Sequence, residues 1–217
     1  MFPRNDVLKH PAAKMLLKWA TDGCPVDCGD PWSIKRIQAA IDKAAHPSAQ
    51  SKAAATACRN EALERVKDGC AKLIKWDDIK HNPPTNLKVS PLAAIPHKSR
   101  EFRMILDLSY NIKVNGIKLQ SVNETSNKNL APQHAMFELG NVILRIVWAL
   151  ATADPNIPFL FTKVDLKDGY WRMCVNANDA WNFAYVLPKL KPSEPTRLVI
   201  PDAVSYTHLT LPTILLV

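Results

Sequence analysis

The sequence predicts an α+β fold, and three observations carry that expectation. Apolar residues recur at three-four spacing in the first third of the chain and again over residues 132–153, the mark of amphipathic helices. Extended or alternating patterns occupy residues 87–108 and 159–187. Seventeen prolines against six glycines, clustered at Pro83-Pro84, Pro91, Pro96, Pro155, Pro158, Pro188, Pro192 and Pro195, punctuate short elements.

In chain order, residues 11–21 hold a short amphipathic pattern. In Asp30-Pro31-Trp-Ser-Ile34-Lys-Arg-Ile37-Gln-Ala-Ala-Ile41, Asp30 suits an N-cap and Pro31 the first helical position, with Ile34, Ile37 and Ile41 on one face. A further helix is expected over residues 51–67, stopping at Gly69, and a strand over 71–76. Pro91 and Pro96 exclude an interior helix from residues 87–108. There, Met104, Leu106 and Leu108 alternate with Arg103, Ile105 and Asp107, and the polar run Lys98-Ser-Arg-Glu-Phe102 turns a hairpin. The helix over 132–153 sets Leu139, Ile143, Ile146 and Leu150 in one apolar stripe. That stripe is expected to pack on an antiparallel sheet formed by residues 159–166, 171–175 and 181–187. In the last strand, Trp181, Phe183, Tyr185 and Leu187 alternate with Asn182, Ala184 and Val186, a half-buried pattern.

The 217 residues are 47% apolar, enough to build a core, so wholesale disorder is excluded. The formal charge is +8, and residues 88–118 carry Lys88, Lys98, Arg100, Arg103, Lys113 and Lys118 against Glu101 and Asp107. Such a balance favours a polyanionic partner, nucleic acid or a phosphate-bearing ligand; a solvated basic face accounts for it equally. Five cysteines form no paired framework, and Cys24-x-x-x-Cys28 lacks a second Cys/His pair for zinc, which leaves free thiols in a reducing compartment. No apolar stretch approaches the roughly twenty residues needed to span a bilayer. The start, Met1-Phe-Pro-Arg-Asn-Asp6, is not laid out as a secretion signal. An intracellular location, cytoplasm or nucleus, without membrane attachment is expected.

Two runs carry chemistry. Phe161-Thr-Lys-Val-Asp165-Leu-Lys-Asp168-Gly-Tyr170-Trp-Arg-Met173 puts a carboxylate at the end of an apolar strand, followed by a glycine-aromatic pair. It resembles motif A of reverse transcriptases, the first metal-binding motif of the polymerase palm. Pro91-Leu-Ala-Ala-Ile95-Pro-His-Lys98-Ser-Arg-Glu-Phe-Arg103-Met-Ile-Leu-Asp107-Leu-Ser, upstream of it, resembles the fingers hairpin of the same family. The resemblance spans about residues 76–201 and implies the fingers and start of the palm of a right hand, its antiparallel palm sheet packed by helices. Residues 1–75 then form a helical lead-in like that of retroelement polyproteins, and 76–202 the partial polymerase. Residues 203–217, with Ser205-Tyr-Thr-His-Leu-Thr-Leu-Pro-Thr213, resemble a translated sequencing-library adapter and are set aside as a non-native tail, expected to be exposed and irregular.

The implied reaction is template-directed attack of a primer 3′-hydroxyl on the α-phosphate of a deoxynucleoside triphosphate, with two Mg²⁺ ions lowering the hydroxyl pKa and neutralising the leaving pyrophosphate. Mg²⁺ takes oxygen ligands, so carboxylates on rigid strands are required. By the resemblance Asp165 is the catalytic metal ligand, with the backbone carbonyl of Leu166 assisting. Tyr170 lies under the sugar and disfavours a 2′-hydroxyl, and Gly169 permits close approach. Asp168 is either a turn carboxylate or a neighbour of the triphosphate. Lys98 and Arg103 grip the β- and γ-phosphates, His97 standing where the family commonly has a first lysine. Taken alone, Asp165 reads as a turn cap, Tyr170 as a core aromatic and Asp107 as half of a surface ion pair.

The second carboxylate pair of the family, in a Tyr-x-Asp-Asp hairpin, has no counterpart after Asp165; Asp77-Asp78 lies upstream, in the wrong order. The chain is therefore expected to be inactive by itself. RNA or DNA template-primer and deoxynucleoside triphosphates are the implied partners. Two other readings stay open: a non-catalytic basic nucleic-acid-binding module, and a structural helical protein with a small sheet.

Overall fold

The computed structural model describes residues 13–98, 100–130, 141–154, 156, 162–163, 174–202 and 214–215. It is an α+β fold in which small antiparallel sheets pack against helices; no polymerase fold is identified in it. The helices are α1 (Ala13–Asp22), α2 (Ile34–Lys43), α3 (Lys52–Lys67), α4 (Trp76–Ile79), α5 (Val122–Thr125) and α6 (Val142–Thr152). The strands are β1 (Ala71–Lys75), β2 (Leu92–Pro96), β3 (Phe102–Leu106), β4 (Lys113–Val114), β5 (Ile117–Lys118), β6 (Thr162–Lys163), β7 (Tyr185–Val186), β8 (Arg197–Pro201) and β9 (Ile214–Leu215).

The central sheet runs β1-β8-β7, antiparallel throughout, with Ala71 opposite Pro201, Lys75 opposite Arg197 and Tyr185 opposite Val199. Leu198, Val199 and Ile200 are all buried, so β8 is covered on both faces. One hydrophobic cluster joins Ile37 and Ile41 of α2, Cys58 of α3, Leu92 and Leu106 of the hairpin, and Tyr185 and Val199 of the sheet. Residues on either side of position 75 thus share one core.

α3 forms as its sequence dictates. The Ser51 hydroxyl accepts the Ala54 N–H at 3.1 Å, and after the Asp68 cap Gly69 takes φ 73° to turn the chain into β1. Its buried face is Ala54, Cys58 and Ala62, small side chains four apart that let strands approach closely. The Cys58 thiol lies 3.8 Å from the Ala93 carbonyl of β2.

α2 starts later than expected. Ser33, not Asp30, is the N-cap, its hydroxyl accepting the Arg36 N–H at 3.3 Å. Trp32 is drawn out of the helical path because its ring is buried, with the Arg36 guanidinium 3.9 Å from the ring centroid. Ile34 is consequently at the helix end and 48% exposed, while Ile37 and Ile41 are buried.

The strand expected over 181–187 opens instead as the end of a 3-10 helix, Asp179–Phe183; Ala184 then bridges Val89, and only β7 forms a ladder. The cause lies just upstream. Asn176 accepts the Asn178 N–H on its side chain and the Asp179 and Ala180 N–H groups on its carbonyl, winding the chain before the apolar run begins. Residues 182–187 are buried on both faces, so their alternation does not mark a solvent side.

α6 departs most from expectation. Ile143 is 68% exposed, Leu150 47% and Trp148 70%, and none of its residues is buried. Of the expected stripe, Ile143 and Leu150 are exposed rather than packed, while Leu139 and the rest of 132–140 lie outside the described residues. The expected sheet partners fall largely outside the described residues: of 159–166 only β6 is described, and of 171–175 only Cys174 and Val175. β6 pairs with β9, Thr162 opposite Leu215, so two residues of the tail expected to be irregular are in a ladder; Leu209 and Leu211 lie outside the described residues. Among the described residues no helix is long and apolar enough to cross a membrane.

Candidate functional site

The β2–β3 hairpin expected to carry phosphate-binding cations is present, with Leu92 opposite Leu106 and Ile95 opposite Arg103. Its base is buried through Leu92, Ala93, Ala94 and Leu106, whereas Ile95, Pro96, His97, Lys98, Arg100, Glu101 and Arg103 are exposed. The hairpin therefore stands on α3 and projects its outer half into solvent. Lys98 and Arg103 are both at this outer end, and among the described residues neither forms an ion pair. Among the described residues Asp107 has no basic partner, contrary to expectation; it closes an Asx turn by accepting the Ser109 N–H at 3.0 Å, while its own N–H donates to the Pro91 carbonyl. That turn ends β3.

The outer half is tied to α3 by Glu61. Its Oε2 accepts from Arg100 at 3.3 Å and from the Met104 N–H at 3.4 Å, and its Oε1 lies 3.8 Å from Arg65. An open groove of about 580 Å³ lies beside the tip, lined by Lys52, Ala53, Thr56, Ala57 and Asn60 of α3 and by Glu101. Below, burial pushes the Cys58 thiol up to about 11, with the Glu61 carboxylate adding to it, so this sulfur stays protonated and unreactive near neutrality.

One residue of the basic stretch is not available to a partner. Lys88 is 1% exposed, and its ammonium donates to the carbonyls of Cys28 and Gly29. Thr125 donates to the same Cys28 carbonyl at 2.7 Å, clamping this turn from the other side. Burial lowers the Lys88 pKa. The exposed cations of the stretch are then Lys98, Arg100, Arg103, Lys113 and Lys118, the last held 3.1 Å from Glu124. The sequence reading gave Lys113 and Lys118 no element. They face each other on the β4–β5 ribbon, which is closed by Asn115 at φ 50° and Gly116 at φ 80°.

Asp165, Leu166, Asp168, Gly169 and Tyr170 lie outside the described residues; β6 ends two positions before Asp165. The structure therefore brings Glu61, which sequence reasoning missed, to Arg100 and the Met104 amide, and leaves Lys98 and Arg103 exposed on the outer half of the same hairpin. Among the described residues no group of three His, Cys, Asp or Glu side chains could hold a metal ion. No protein-family model matches this chain, and a search of curated proteins finds no match to it.

Proposed function

We propose that this chain is part of an RNA-directed DNA polymerase of retroelement type, comprising its fingers hairpin and the start of its palm. The observation that carries the reading is the β2–β3 hairpin, which presents Lys98 and Arg103 outside the core and, among the described residues, without carboxylate partners. A triphosphate needs cations at its far end, and an arginine fork with a lysine point charge supplies them. Asp165, with the Leu166 carbonyl, would hold Mg²⁺ at the α-phosphate, and Gly169 and Tyr170 would form the sugar floor, as the motif-A resemblance implies. That palm half rests on the sequence motif, since the α6 stripe assigned to cover a palm sheet is exposed.

Binding of dTTP to the purified chain tests the reading. Removing one charge-assisted phosphate contact costs roughly 1.5–3 kcal/mol, so R103A is expected to weaken binding about 10- to 100-fold, and K98A less. Equal affinity in wild type, K98A and R103A would refute it. Primer extension by the chain alone is expected to give no template-dependent product, because one carboxylate position cannot hold two metals.

A second reading, a non-catalytic nucleic-acid-binding module, is favoured by the β4–β5 ribbon, which adds Lys113 and Lys118 on a separate hairpin. It requires salt-sensitive binding of single-stranded or duplex nucleic acid that K113A and K118A weaken and that leaves dTTP affinity unaltered.

A further inference from the structure

The tip cations can serve a ligand only if the hairpin holds them in place, and half of it projects from the core. Its base is fixed by Leu92, Ala94 and Leu106. Beyond that base, one side chain of α3 reaches two points of β3 and its tip. Glu61 accepts from the Met104 N–H, a main-chain anchor, and from Arg100, a side-chain anchor between Lys98 and Arg103. Its carboxylate is 15% exposed against 47% for Arg100, so the pair is partly shielded from solvent. Arg65, one helical turn on, braces the other oxygen at 3.8 Å.

We propose that Glu61 is a positioning residue: through Arg100 and the Met104 amide it fixes the stance of the β2–β3 hairpin, and with it the grip of Lys98 and Arg103 on a polyphosphate. The functional part of this inference rests on the triphosphate reading above. The mechanical part does not.

The two are separated by E61Q and two measurements on the full chain. Gln keeps the size of the side chain and an acceptor for Met104 but loses the ion pairs with Arg100 and Arg65. Amide exchange over residues 92–106 should quicken about threefold, the scale of a partly exposed ion pair, with β1 and β8 unchanged. R100Q, which removes the Arg100 pair and leaves the Arg65 pair in place, should quicken it as well, and the double variant no further than E61Q alone. The affinity for inorganic tripolyphosphate supplies the second readout, and here the sign decides. Removing a negative charge near the tip should tighten anion binding if electrostatics alone acts; loss of positioning should weaken it severalfold. Unchanged exchange in both variants, or exchange quickened equally across the whole molecule, overturns the positioning role. Quickened exchange with tighter tripolyphosphate binding overturns its link to the ligand. If wild type binds tripolyphosphate with an affinity that R103A leaves unchanged, the triphosphate reading falls while the exchange result still decides the role of Glu61 as a latch.

Discussion

Replacing Tyr185 by Phe is expected to stabilise this protein. The Tyr185 side chain is fully buried on β7, and its hydroxyl has no hydrogen-bond partner among the described residues. Burial, with the Glu61 carboxylate adding to it, pushes the phenol above its ordinary 10.0, so the group is a neutral O–H held away from water. A buried hydroxyl without a partner costs roughly 1–3 kcal/mol in protein contexts. Deleting one oxygen leaves a void worth only a few tenths of a kcal/mol at about 24 cal/mol per Å³. The net expectation for Tyr185→Phe is a gain of roughly 1–2 kcal/mol. In a chain of this size that corresponds to a rise in Tm of roughly 2–8 °C. Urea unfolding followed by fluorescence should show a higher midpoint at an unchanged slope. A variant less stable than wild type by more than about 0.5 kcal/mol would refute the reasoning, because it would mean the hydroxyl is satisfied.

Lys88 gives a prediction with the opposite chemistry. Its folded pKa lies below the ordinary 10.5, so between the two values the unfolded chain binds more protons and stability should rise with pH. Tyr185 acts in the reverse sense as pH passes its ordinary value, so the measurement belongs in the Tyr185→Phe background: its stability should climb as pH rises toward 10.5 relative to the same protein carrying Lys88→Met. Parallel curves would refute it. Cys58→Leu forces extra volume against the Ala93 carbonyl and should destabilise by about 1–3 kcal/mol, read from chemical denaturation. Trp148→Lys, on the exposed face of α6, should change stability by less than about 0.5 kcal/mol; a larger loss would show that this face is covered.

The sequence announces those elements whose signals are local. Ser51 and Gly69 bracket α3, and the prolines with the polar tip mark the β2–β3 hairpin, so both were legible. Asn115-Gly116, a strong hairpin signal between Lys113-Val114 and Ile117-Lys118, was legible too but was passed over. The Arg197-to-Pro201 strand was missed for a physical reason: a five-residue run buried on both faces has no alternation to read, and its partner β1 lies more than half the chain away. Trp32 overrode the capping preference of Asp30 by burying its ring. Lys88 counts as a surface charge in any composition argument, and only the tertiary fold shows it inside. At the site, the exposure of Lys98 and Arg103 follows from the polar tip of the hairpin, their role resting on the fingers resemblance alone, whereas Glu61 sits in the middle of a helix, and nothing in its sequence neighbourhood shows that it meets Arg100.

The pairing of β1 with β8 also governs when this molecule can become itself. During synthesis α2, α3 and β1 leave the ribosome well before β8, and β1 then waits with its hydrogen-bonding edge open until residues 197–201 arrive. Leu198, Val199 and Ile200 enter the sheet between β1 and β7 only at that moment, so the nascent chain passes through a long interval with an unpaired strand and an uncapped apolar surface. Such an interval is when chaperones bind and when neighbouring nascent chains pair edge to edge. The time taken to translate residues 76–196 therefore sets how long that edge stays open.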